Sequence, residues 1–475
     1  MDTAEKIYQK KRMAHWDQAS DFKENPRRIG IFYHQLLARY YQFLIPPGLK
    51  ILELGSGHGD LLAALKPSAG VGLDFSKNMI RTAAKKHPEL LFIQADAHEI
   101  PLKEKFDVII LSDLVNDLRD VQILLENLHL LCHRGTRLIL NFYNNMWRIP
   151  LSGAKILKLG AMTLEQNWFS PDDMRNLLHL ADFEVIKYSP AILFPLKVPL
   201  LSELFNRCLA KFWPMHWFAL TSFMVARPVR QAAKNVPASV SVIVPARNEA
   251  GNIEDIIRRI PEMGEKTEII FVEGHSQDNT FETIEKLIPQ YPEKNCCLFR
   301  QSGKGKGDAV RLGFENAQGD ILMILDADMT VPPEDLPRFY HAVVSGKGEF
   351  INGVRLVYPL EKQSMRFLNM MGNKFFSLAF SWLLGQPIKD TLCGTKVLRK
   401  KDYEMIAKNR SYFGEFDPFG DFDLLFGAAK LNFKIVEIPI RYRARTYGDT
   451  NIERWKHGWL LLKMVLFAAK RIKFI

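Results

Sequence analysis

Short apolar runs that lead straight into acidic or glycine-rich segments recur along this chain. Residues 321–325 are five consecutive apolar residues, and Asp326 and Asp328 follow them at once. A short apolar run bounded by turn residues is typical of a strand buried in a parallel sheet. The repeated pattern, with helical stretches between the runs, therefore predicts an α/β fold. Because ligands of open α/β sheets bind beyond the carboxyl ends of the strands, the acids at these ends are candidate functional residues.

The pair Asp326 and Asp328 is a candidate metal site. Two carboxylates one residue apart supply hard oxygen ligands, which suit Mg²⁺ or Mn²⁺ sharing its coordination shell with substrate phosphates. An ordinary strand followed by a polar turn would give the same local sequence. The choice between the two interpretations depends on the other motifs of this half of the chain.

The chain is long enough for more than one domain. Its 475 residues predict two or three domains, and 47% hydrophobic with 25% charged residues is typical of globular proteins. Residues 228–237 are polar and bounded by prolines, which is typical of a linker. We therefore predict a first domain over residues 1–230 and a second over residues 237–475.

The charge and the terminal segments bear on partners and location. A net charge of +11 favours anionic partners such as nucleotides and phospholipids, whereas no recognition module or basic aromatic platform indicates nucleic acid. The mixed-charge start predicts no signal peptide, and five cysteines without metal-ligand spacing predict reduced thiols. The longest apolar runs have about ten residues, whereas a spanning helix needs roughly 18. The sequence therefore predicts a cytoplasmic protein, peripheral at the cytoplasmic face of a membrane.

The first half contains a glycine-rich turn between a predicted strand, residues 49–54, and a helix that begins at residue 61. Glycines let the backbone turn sharply and approach a ligand at a helix N-terminus. Further predicted strands at 70–73, 91–94 and 106–111 each end near an acid. A helix over 121–132, a turn at 134–135 and a strand over 137–142 follow. The turn and the acids are Glu53, Gly55, Gly57, Gly59, Asp74, Asp96 and Asp113.

These motifs resemble the class I S-adenosylmethionine-dependent methyltransferases over about residues 30–145. The resemblance implies a Rossmann-like fold in which the segment from Glu53 to Gly59 approaches the methionine part of the cofactor. It also implies that Asp74 holds the ribose and that Asp96 lies by the adenine. A domain for another nucleotide, or a scaffold that binds nothing, remains the alternative.

The methyl acceptor is less constrained. Small-molecule methyltransferases often act by proximity and orientation, so no dedicated base is required. Asp113 or Asn116 could orient an acceptor, although a solvated loop explains both equally well. Residues 192–218, between two predicted strands at 183–188 and 221–226, are rich in Leu, Phe, Trp and Pro. This insert is either a helical cover over the acceptor pocket or an apolar surface for a lipid-linked substrate.

The second half carries three further motifs before Asp326. The strand over 239–244 leads into Pro245, Arg247 and Glu249, and the strand over 268–272 leads into Glu273. A later loop places Lys304 and Lys306 among glycines just before a predicted helix over 309–316, which suits phosphate oxygens.

Together these motifs resemble the family 2 glycosyltransferases of GT-A fold, from residue 239 to about 455. Within that family, residues 328–334, the acceptor-loop segment 390–396 and the loop 445–450 resemble the polyprenyl-phosphate sugar synthases. The resemblance implies that Pro245, Arg247, Glu249 and Glu273 lie along the nucleotide. It implies that Asp326 contacts the nucleotide-sugar and that Asp328 binds the metal that bridges the diphosphate. Many relatives have two acids after the second strand, whereas Gly274 follows Glu273 here, so a GDP- or UDP-sugar donor stays open.

Two kinds of sugar acceptor remain open. A hydroxyl acceptor needs a carboxylate base, for which Asp421 and Asp423 are the candidates by resemblance. A lipid phosphate is already anionic and needs cations, which Arg441, Arg443 and Arg445 would supply from one face of a strand. The tail, residues 454–475, has six Lys or Arg and no acid. It is either an amphipathic helix on an anionic membrane or a helix packed on its own domain.

Overall fold

The structure is a computed structural model, and it describes residues 3–24, 28–156, 164–229, 237–355, 357–358, 367–412, 422–443, 445, 447 and 454–475. The chain divides into two compact units, Met1–Val229 with Lys473–Ile475, and Arg230–Ile472. Most of the predicted linker, Asp421 and the segment 448–450 lie outside the described residues.

The first unit is built around one sheet. Its strands are β1 Lys50–Leu54, β2 Ala69–Asp74, β3 Leu91–Gln94, β4 Phe106–Leu111, β5 Cys132–Tyr143, β6 Phe183–Ile192 and β7 Thr221–Pro228. Within the described residues these seven strands have the order β3-β2-β1-β4-β5-β7-β6, and only β7 runs antiparallel to its neighbours. Ile51 packs into the core on one face of the sheet, and Leu52 and Leu54 pack into the core on the other. Burial on both faces explains why the strands are continuous apolar runs.

Helices cover this sheet. They are α1 Thr3–Glu24, α2 Arg28–Leu44, α3 Asp60–Ala64, α4 Lys77–Lys86, α5 Val121–Asn127, α6 Arg148–Ile156, α7 Pro171–Leu180 and the short α8 Leu201–Glu203. A capping box between Ser170 and Asp173 begins α7, where the Ser-Pro-Asp sequence predicts a helix start.

The second unit also has one sheet. Its strands are β8 Val240–Ala246, β9 Thr267–Glu273, β10 Asn295–Arg300, β11 Ile321–Ile324, β12 Phe350–Val354, β13 Lys396–Arg399 and β14 Ile435–Pro439. In the described part of this unit the order is β10-β9-β8-β11-β13-β12-β14, and β13 is antiparallel to both of its neighbours. The first four strands in this order are parallel, so the carboxyl ends of β8, β9, β10 and β11 meet at one edge.

The helices of the second unit follow the same alternation. They are α9 Ile253–Arg259, α10 Thr280–Leu287, α11 Lys306–Asn316, α12 Leu336–Val344, α13 Phe367–Leu384, α14 Lys400–Lys408, α15 Phe422–Lys430 and α16 Arg454–Ala468. Helix α11 begins three residues earlier than the sequence predicts, so Lys306 stands in its first turn and not in the preceding loop.

Two local predictions are wrong. The turn predicted at 134–135 is part of β5, whose pairing with β4 jumps from Cys132 to Arg137 at a bulge. The Thr136 hydroxyl fills this bulge by donating to the Phe106 carbonyl at 2.6 Å. The strand predicted to carry Arg441 and its neighbours ends at Pro439.

Candidate active sites

The glycine-rich turn of the first unit closes tightly between β1 and α3. Gly55, Gly57 and Gly59 all have positive φ, between 53° and 76°. A Cβ on Gly55 would lie 2.9 Å from the Leu114 side chain, and one on Gly59 would overlap the Phe92 ring. Glycine is therefore required here both by backbone conformation and by space.

The acids after β2 and β3 are held in fixed positions. Asp74 is buried, and its two oxygens accept the N–H groups of Gly57 and Ser76, both at 2.9 Å. Asp96 accepts from the backbone and the ring Nδ1 of His98. Burial opposes ionisation of Asp96, but the His98 hydrogen bonds outweigh it and keep the pKa of this carboxyl below its usual range.

A cavity opens between these residues. Its lining includes Gly55, Asp74, Phe75, Asp96 and Leu114. The buried Ser56 hydroxyl in the glycine turn has no hydrogen-bond partner among the described residues. A glycine cradle, an acid at the end of β2 and a second acid at the end of β3 fit an adenosyl cofactor. Glu53 is buried at the end of β1, directly before this turn.

Helix α1 covers one side of this cavity, which the sequence analysis missed. Tyr8, Gln9 and Arg12 contribute to the lining. Gln9 donates to Asp96 at 2.7 Å, and the Trp16 indole donates to Asp117 at 2.6 Å.

Asp113 and Asn116 follow β4 and have different surroundings. Asp113 has a φ of 53° and accepts from the Tyr33 hydroxyl at 2.9 Å and from the Asn141 amide at 2.5 Å. Asn116 is fully buried, donates to the Asn167 carbonyl and accepts from the Tyr143 N–H. Asn116 therefore braces the loop, and the solvated-loop interpretation is wrong for it.

In the second unit, Asp326 lies directly beyond β11 in an ion pair. Lys306 Nζ is 2.6 Å from its Oδ1. Burial raises the pKa of Asp326, but Lys306, Lys396 and Arg355 together outweigh burial and hold it below the usual range. The carboxylate is therefore ionised at neutral pH.

Arg445 connects two of the predicted motifs. Its Nη2 is 2.9 Å from Asp328 Oδ2, and its Nη1 is 3.1 Å from Glu249 Oε1. Asn252 donates to the other oxygen of Glu249 at 2.8 Å. Burial raises the pKa of Glu249 to about 7, with Asp328 adding to the shift and Arg445 opposing it. Glu249, Arg445 and Asp328 thus form one charged group, although they are far apart in the sequence.

The remaining nucleotide candidates lie at the carboxyl ends of β8 and β9 and on the loops that follow β8 and β10. Glu273 is buried and accepts the Ser276 N–H at 2.5 Å. Pro245 is half-buried in β8, whereas Arg247 and Lys304 are exposed. The loops after β8 and β9 are joined to each other, because the Asn248 N–H donates to the Ser276 hydroxyl at 3.0 Å.

The donor set fits a divalent cation that is shared with a substrate. Across the described residues, no three His, Cys, Asp or Glu side chains gather into a metal-ion site. Mg²⁺ is usually held by one or two carboxylates together with substrate phosphates, so a complete protein cage is not needed. Asp326 and Asp328 can supply the two carboxylates.

The acceptor-site candidates are only partly brought together. Asp423 pairs with Arg410, whose Nε is 2.7 Å from its Oδ2, and Asp421 lies outside the described residues. Arg441 and Arg443 lie on irregular backbone beyond β14, so the alternating-face argument for the arginines is wrong. Of the three arginines, Arg445 contacts the Asp328 group.

Three buried charges lie near Asp326, and the sequence analysis missed one of them, Arg355. Arg355 forms a bidentate ion pair with Asp390. Its Nε is 2.7 Å from Oδ2, and its Nη2 is 2.8 Å from Oδ1. Lys396 is almost fully buried at the start of β13. A charged residue directly after the apolar strand β12 was the available signal for Arg355.

The second unit also exposes an apolar stripe, which we define as Met371, Phe375 and Leu378 of α13 with Trp459 and Leu466 of α16. The two helices pack against each other. The opposite side of α16, with Leu461, Met464 and Ala468, is buried, as expected for a helix packed on its own domain. None of the helices in the described part of the chain is both long and apolar enough to cross a membrane.

Two protein families match the chain. Glycosyl transferase family 2 matches residues 241–406, and a methyltransferase domain matches residues 27–188. A dolichol-phosphate mannosyltransferase from Pyrococcus furiosus is 31% identical over 246 residues, 50% of this chain and 67% of that protein. An undecaprenyl-phosphate 4-deoxy-4-formamido-L-arabinose transferase from Edwardsiella ictaluri is 29% identical over 230 residues, 48% of this chain and 64% of that protein.

Solved structures are similar as well. An S-adenosylmethionine-dependent methyltransferase from Mesorhizobium loti has a TM-score of 0.32 and 18% identity, covering 40% of this chain and 97% of that one. The predicted fold class, a Rossmann-like methyltransferase fold followed by a GT-A fold, is confirmed. The chain is an enzyme of glycosyltransferase family 2 that carries a methyltransferase domain in its first half.

Proposed function

We propose that the second unit transfers a sugar from a GDP- or UDP-sugar to a polyprenyl phosphate or another membrane-linked acceptor. The observation that carries the proposal is the bridge that Arg445 makes between Glu249 and Asp328. The Lys306–Asp326 pair lies at the same strand end, two residues from Asp328. Cations and carboxylates gathered beyond the strand ends suit a nucleoside diphosphate, whose charge must be bound.

Each part of this group has a proposed role. The nucleotide base and ribose would lie along Pro245, Arg247, Glu249 and Glu273. Lys304 and Lys306 would bind the diphosphate. Asp328 and Asp326 would hold Mg²⁺ or Mn²⁺, which would neutralise the charge that develops on the departing nucleoside diphosphate. The acceptor would attack the anomeric carbon in line with the departing group. This attack would invert the configuration at that carbon.

A lipid phosphate is the acceptor that we favour over a hydroxyl. It is anionic at neutral pH and needs no base, and Asp423 is already paired with Arg410. Lys396 and Arg355 lower the pKa of Asp326, so cationic side chains lie close to this strand end. The two curated relatives are named as a dolichol-phosphate and an undecaprenyl-phosphate transferase.

We further propose that the apolar stripe of α13 and α16 places the protein at the cytoplasmic face of a membrane. Exposed Lys374 and Lys463 lie on the same two helices as the stripe, and exposed Lys470 follows the end of α16. Apolar side chains flanked by cations favour an anionic lipid surface, because the first enter the interface and the second bind the headgroups.

A donor screen tests the sugar transfer. Purified protein is incubated with GDP- and UDP-sugars, polyprenyl phosphate and Mg²⁺ or Mn²⁺, and the lipid products are identified by mass spectrometry. We expect one donor to give a sugar-linked polyprenyl phosphate and Asp328→Ala to abolish it with the fold intact. Near-normal turnover in Asp328→Ala would refute the metal assignment, and transfer to a glycan hydroxyl instead would refute the acceptor.

We propose that the first unit binds S-adenosylmethionine and transfers its methyl group. Gly55, Gly57 and Gly59 would approach the methionine part with Glu53 behind them, Asp74 would hold the ribose, and Asp96 would lie by the adenine. The cofactor supplies an activated methyl group. Calorimetric titration with S-adenosylmethionine tests binding, and an absence of heat would favour a scaffold domain.

A further inference from the structure

The insert between β6 and β7 lies at the ligand-binding edge of the first sheet. Strands β5 and β6 both run antiparallel to β7, so both end at the edge where the insert, residues 193–220, begins. The insert is joined to the segment after β5. Asn144 donates to the Trp217 carbonyl at 3.0 Å, and the Trp147 indole donates to the Phe218 carbonyl at 2.8 Å. The insert therefore borders the place where a methyl acceptor must enter.

The insert and this segment expose six large apolar side chains, which we call the aromatic surface, and the rings of Trp213 and Trp217 are in contact. It comprises Met146, Ile149, Leu200, Trp213, Trp217 and Phe218. Leu200 is 88% exposed and Trp213 is 73% exposed. Contiguous exposed apolar patches on soluble domains mark sites of interaction, whereas single exposed apolar residues are ordinary.

The aromatic surface is exposed on an ordered scaffold. The buried Asn206 side chain accepts the N–H groups of Leu193 and Phe194 and donates to the Phe194 carbonyl, all within 2.9 Å. The Ser202 hydroxyl is hydrogen-bonded to Val198 at both N–H and carbonyl. These internal hydrogen bonds give the insert a defined conformation. Its apolar side chains are exposed on this framework.

The charges near the aromatic surface indicate which kind of partner it binds. Exposed Arg148, Lys197 and Arg207 accompany the tryptophans, whereas Glu203 pairs with Arg207 and with Arg39. Tryptophan prefers the boundary between lipid tails and headgroups, and basic side chains bind anionic headgroups. This combination fits an anionic lipid bilayer.

We propose that the aromatic surface docks the methyltransferase unit on an anionic membrane and that its methyl acceptor is the head group of a lipid-linked molecule. The inference rests on the proposed methyl transfer. The hydrogen bonds of Tyr33 to Asp113 and to Thr221 at the start of β7 connect the acceptor side to the base of the insert. A head group that leaves the bilayer at the aromatic surface reaches this edge of the sheet while its lipid tail stays in the membrane.

The transfer balances without a further reactant. The carbon–sulfur bond of the cofactor breaks and its electron pair stays on sulfur. A lone pair on an oxygen or nitrogen of the head group forms the new bond to the methyl group. The proton of that hydroxyl or amine is released to water, and S-adenosylhomocysteine leaves.

Vesicle flotation of the full chain tests the docking. The background variant carries Phe375→Ser, Leu378→Ser and Trp459→Ser, which removes the proposed contribution of the second unit. We expect this variant to float with phosphatidylcholine vesicles that contain phosphatidylglycerol and not with pure phosphatidylcholine. Adding Trp213→Ala and Trp217→Ala should lower the bound fraction at least about tenfold.

A matched control uses exposed apolar residues away from the insert. Adding Leu91→Ala and Leu130→Ala, both more than half exposed, should leave flotation unchanged. Calorimetric binding of S-adenosylmethionine should be equal in all variants, which separates docking from cofactor binding and from misfolding. Equal flotation of the tryptophan variant and the control variant overturns the proposal, as does flotation without anionic lipid.

A second measurement tests the acceptor class. Methyl-labelled S-adenosylmethionine is incubated with the wild-type protein and membranes, which are then extracted with organic solvent. We expect the label in the lipid phase, and Trp213→Ala with Trp217→Ala should reduce it. Label in protein or in water-soluble products overturns the lipid-linked acceptor, even where cofactor binding and methyl transfer are intact.

Discussion

At the scale of single residues, Gly394 marks where residues 390–396 meet the ion pair of Lys306 and Asp326. A Cβ at this position would overlap the Asp326 carboxylate and lie 2.5 Å from Lys306 Nζ. Gly394→Ala should therefore displace one partner of this ion pair and lower sugar transfer about 100-fold, because misplacement by about 1 Å is sufficient for such a loss. The measurement is the turnover rate with saturating donor and acceptor.

The control for this variant is Gly372→Ala. A Cβ on Gly372 of α13 meets nothing within 4 Å, so this variant should keep its turnover. Equal rates for the two variants would show that the loop at Gly394 does not pack on the reacting groups.

Glu249 gives the protein a pH dependence of stability. Burial raises its pKa to about 7, with a smaller contribution from Asp328 against the opposing charge of Arg445. A carboxyl group whose pKa is higher in the folded protein holds its proton more tightly there than in the unfolded chain. Raising the pH from the ordinary glutamate pKa to about 7 therefore favours unfolding, and the free energy of unfolding falls by no more than about 3 kcal/mol.

Urea unfolding at pH 5 and pH 8 measures this effect. The wild-type protein should lose more stability between the two values than Glu249→Gln, which has no proton to release. If the free energy of unfolding falls by the same amount in both proteins, the pH dependence is due to other titratable groups.

At the scale of elements, α1 is the helix whose role is most open to test. It meets the cofactor loops through Gln9 with Asp96 and Trp16 with Asp117. Trp16→Phe keeps the aromatic ring and removes the hydrogen bond, so α1 should open more often. We expect S-adenosylmethionine to dissociate about tenfold faster or more in stopped-flow displacement, because a hydrogen bond to a charged group contributes about 1.5 kcal/mol or more.

Lys10→Ala serves as the control for α1. Lys10 lies on the exposed side of the same helix, so its loss should leave the dissociation rate unchanged. A rate for Trp16→Phe that matches the wild-type rate would mean that α1 does not retain the cofactor.

The elements that the sequence predicted well are the buried strands. In β1, Ile51 faces one core and Leu52 the other, so burial on both faces produces an uninterrupted apolar run that can be recognised without a structure. The bulge of β5 could not be predicted in this way. It depends on the Thr136 hydroxyl reaching the carbonyl of Phe106, 30 positions away.

The same limit applies to the sites. Their acids could be located because each directly follows an apolar strand, as Asp74 and Asp326 do. The contacts between them could not, because Arg445 and Glu249 are 196 positions apart and Gln9 and Asp96 are 87 apart. Local sequence patterns carry no information about which distant side chains meet.

At the scale of the whole molecule, two sites are built from separate parts of the chain. The cofactor cavity is lined by residues of Met1–Val229, and the Asp328 group consists of residues of Arg230–Ile472. A ligand that binds one folded unit stabilises that unit by an amount that rises with the logarithm of its affinity. The two activities should therefore be separable by single substitutions in the intact chain.

Asp74→Asn and Asp328→Ala test this separation in opposite directions. Asp74→Asn should abolish calorimetric binding of S-adenosylmethionine and leave the rate of sugar transfer unchanged, because Asp74 contacts the glycine turn of its own unit. Asp328→Ala should abolish sugar transfer and leave cofactor binding unchanged. Each variant is the control for the other, since a substitution that merely unfolds the chain would remove both signals. A variant that loses both functions while its circular dichroism spectrum stays that of the wild type would contradict independent sites and would require coupling between the two units.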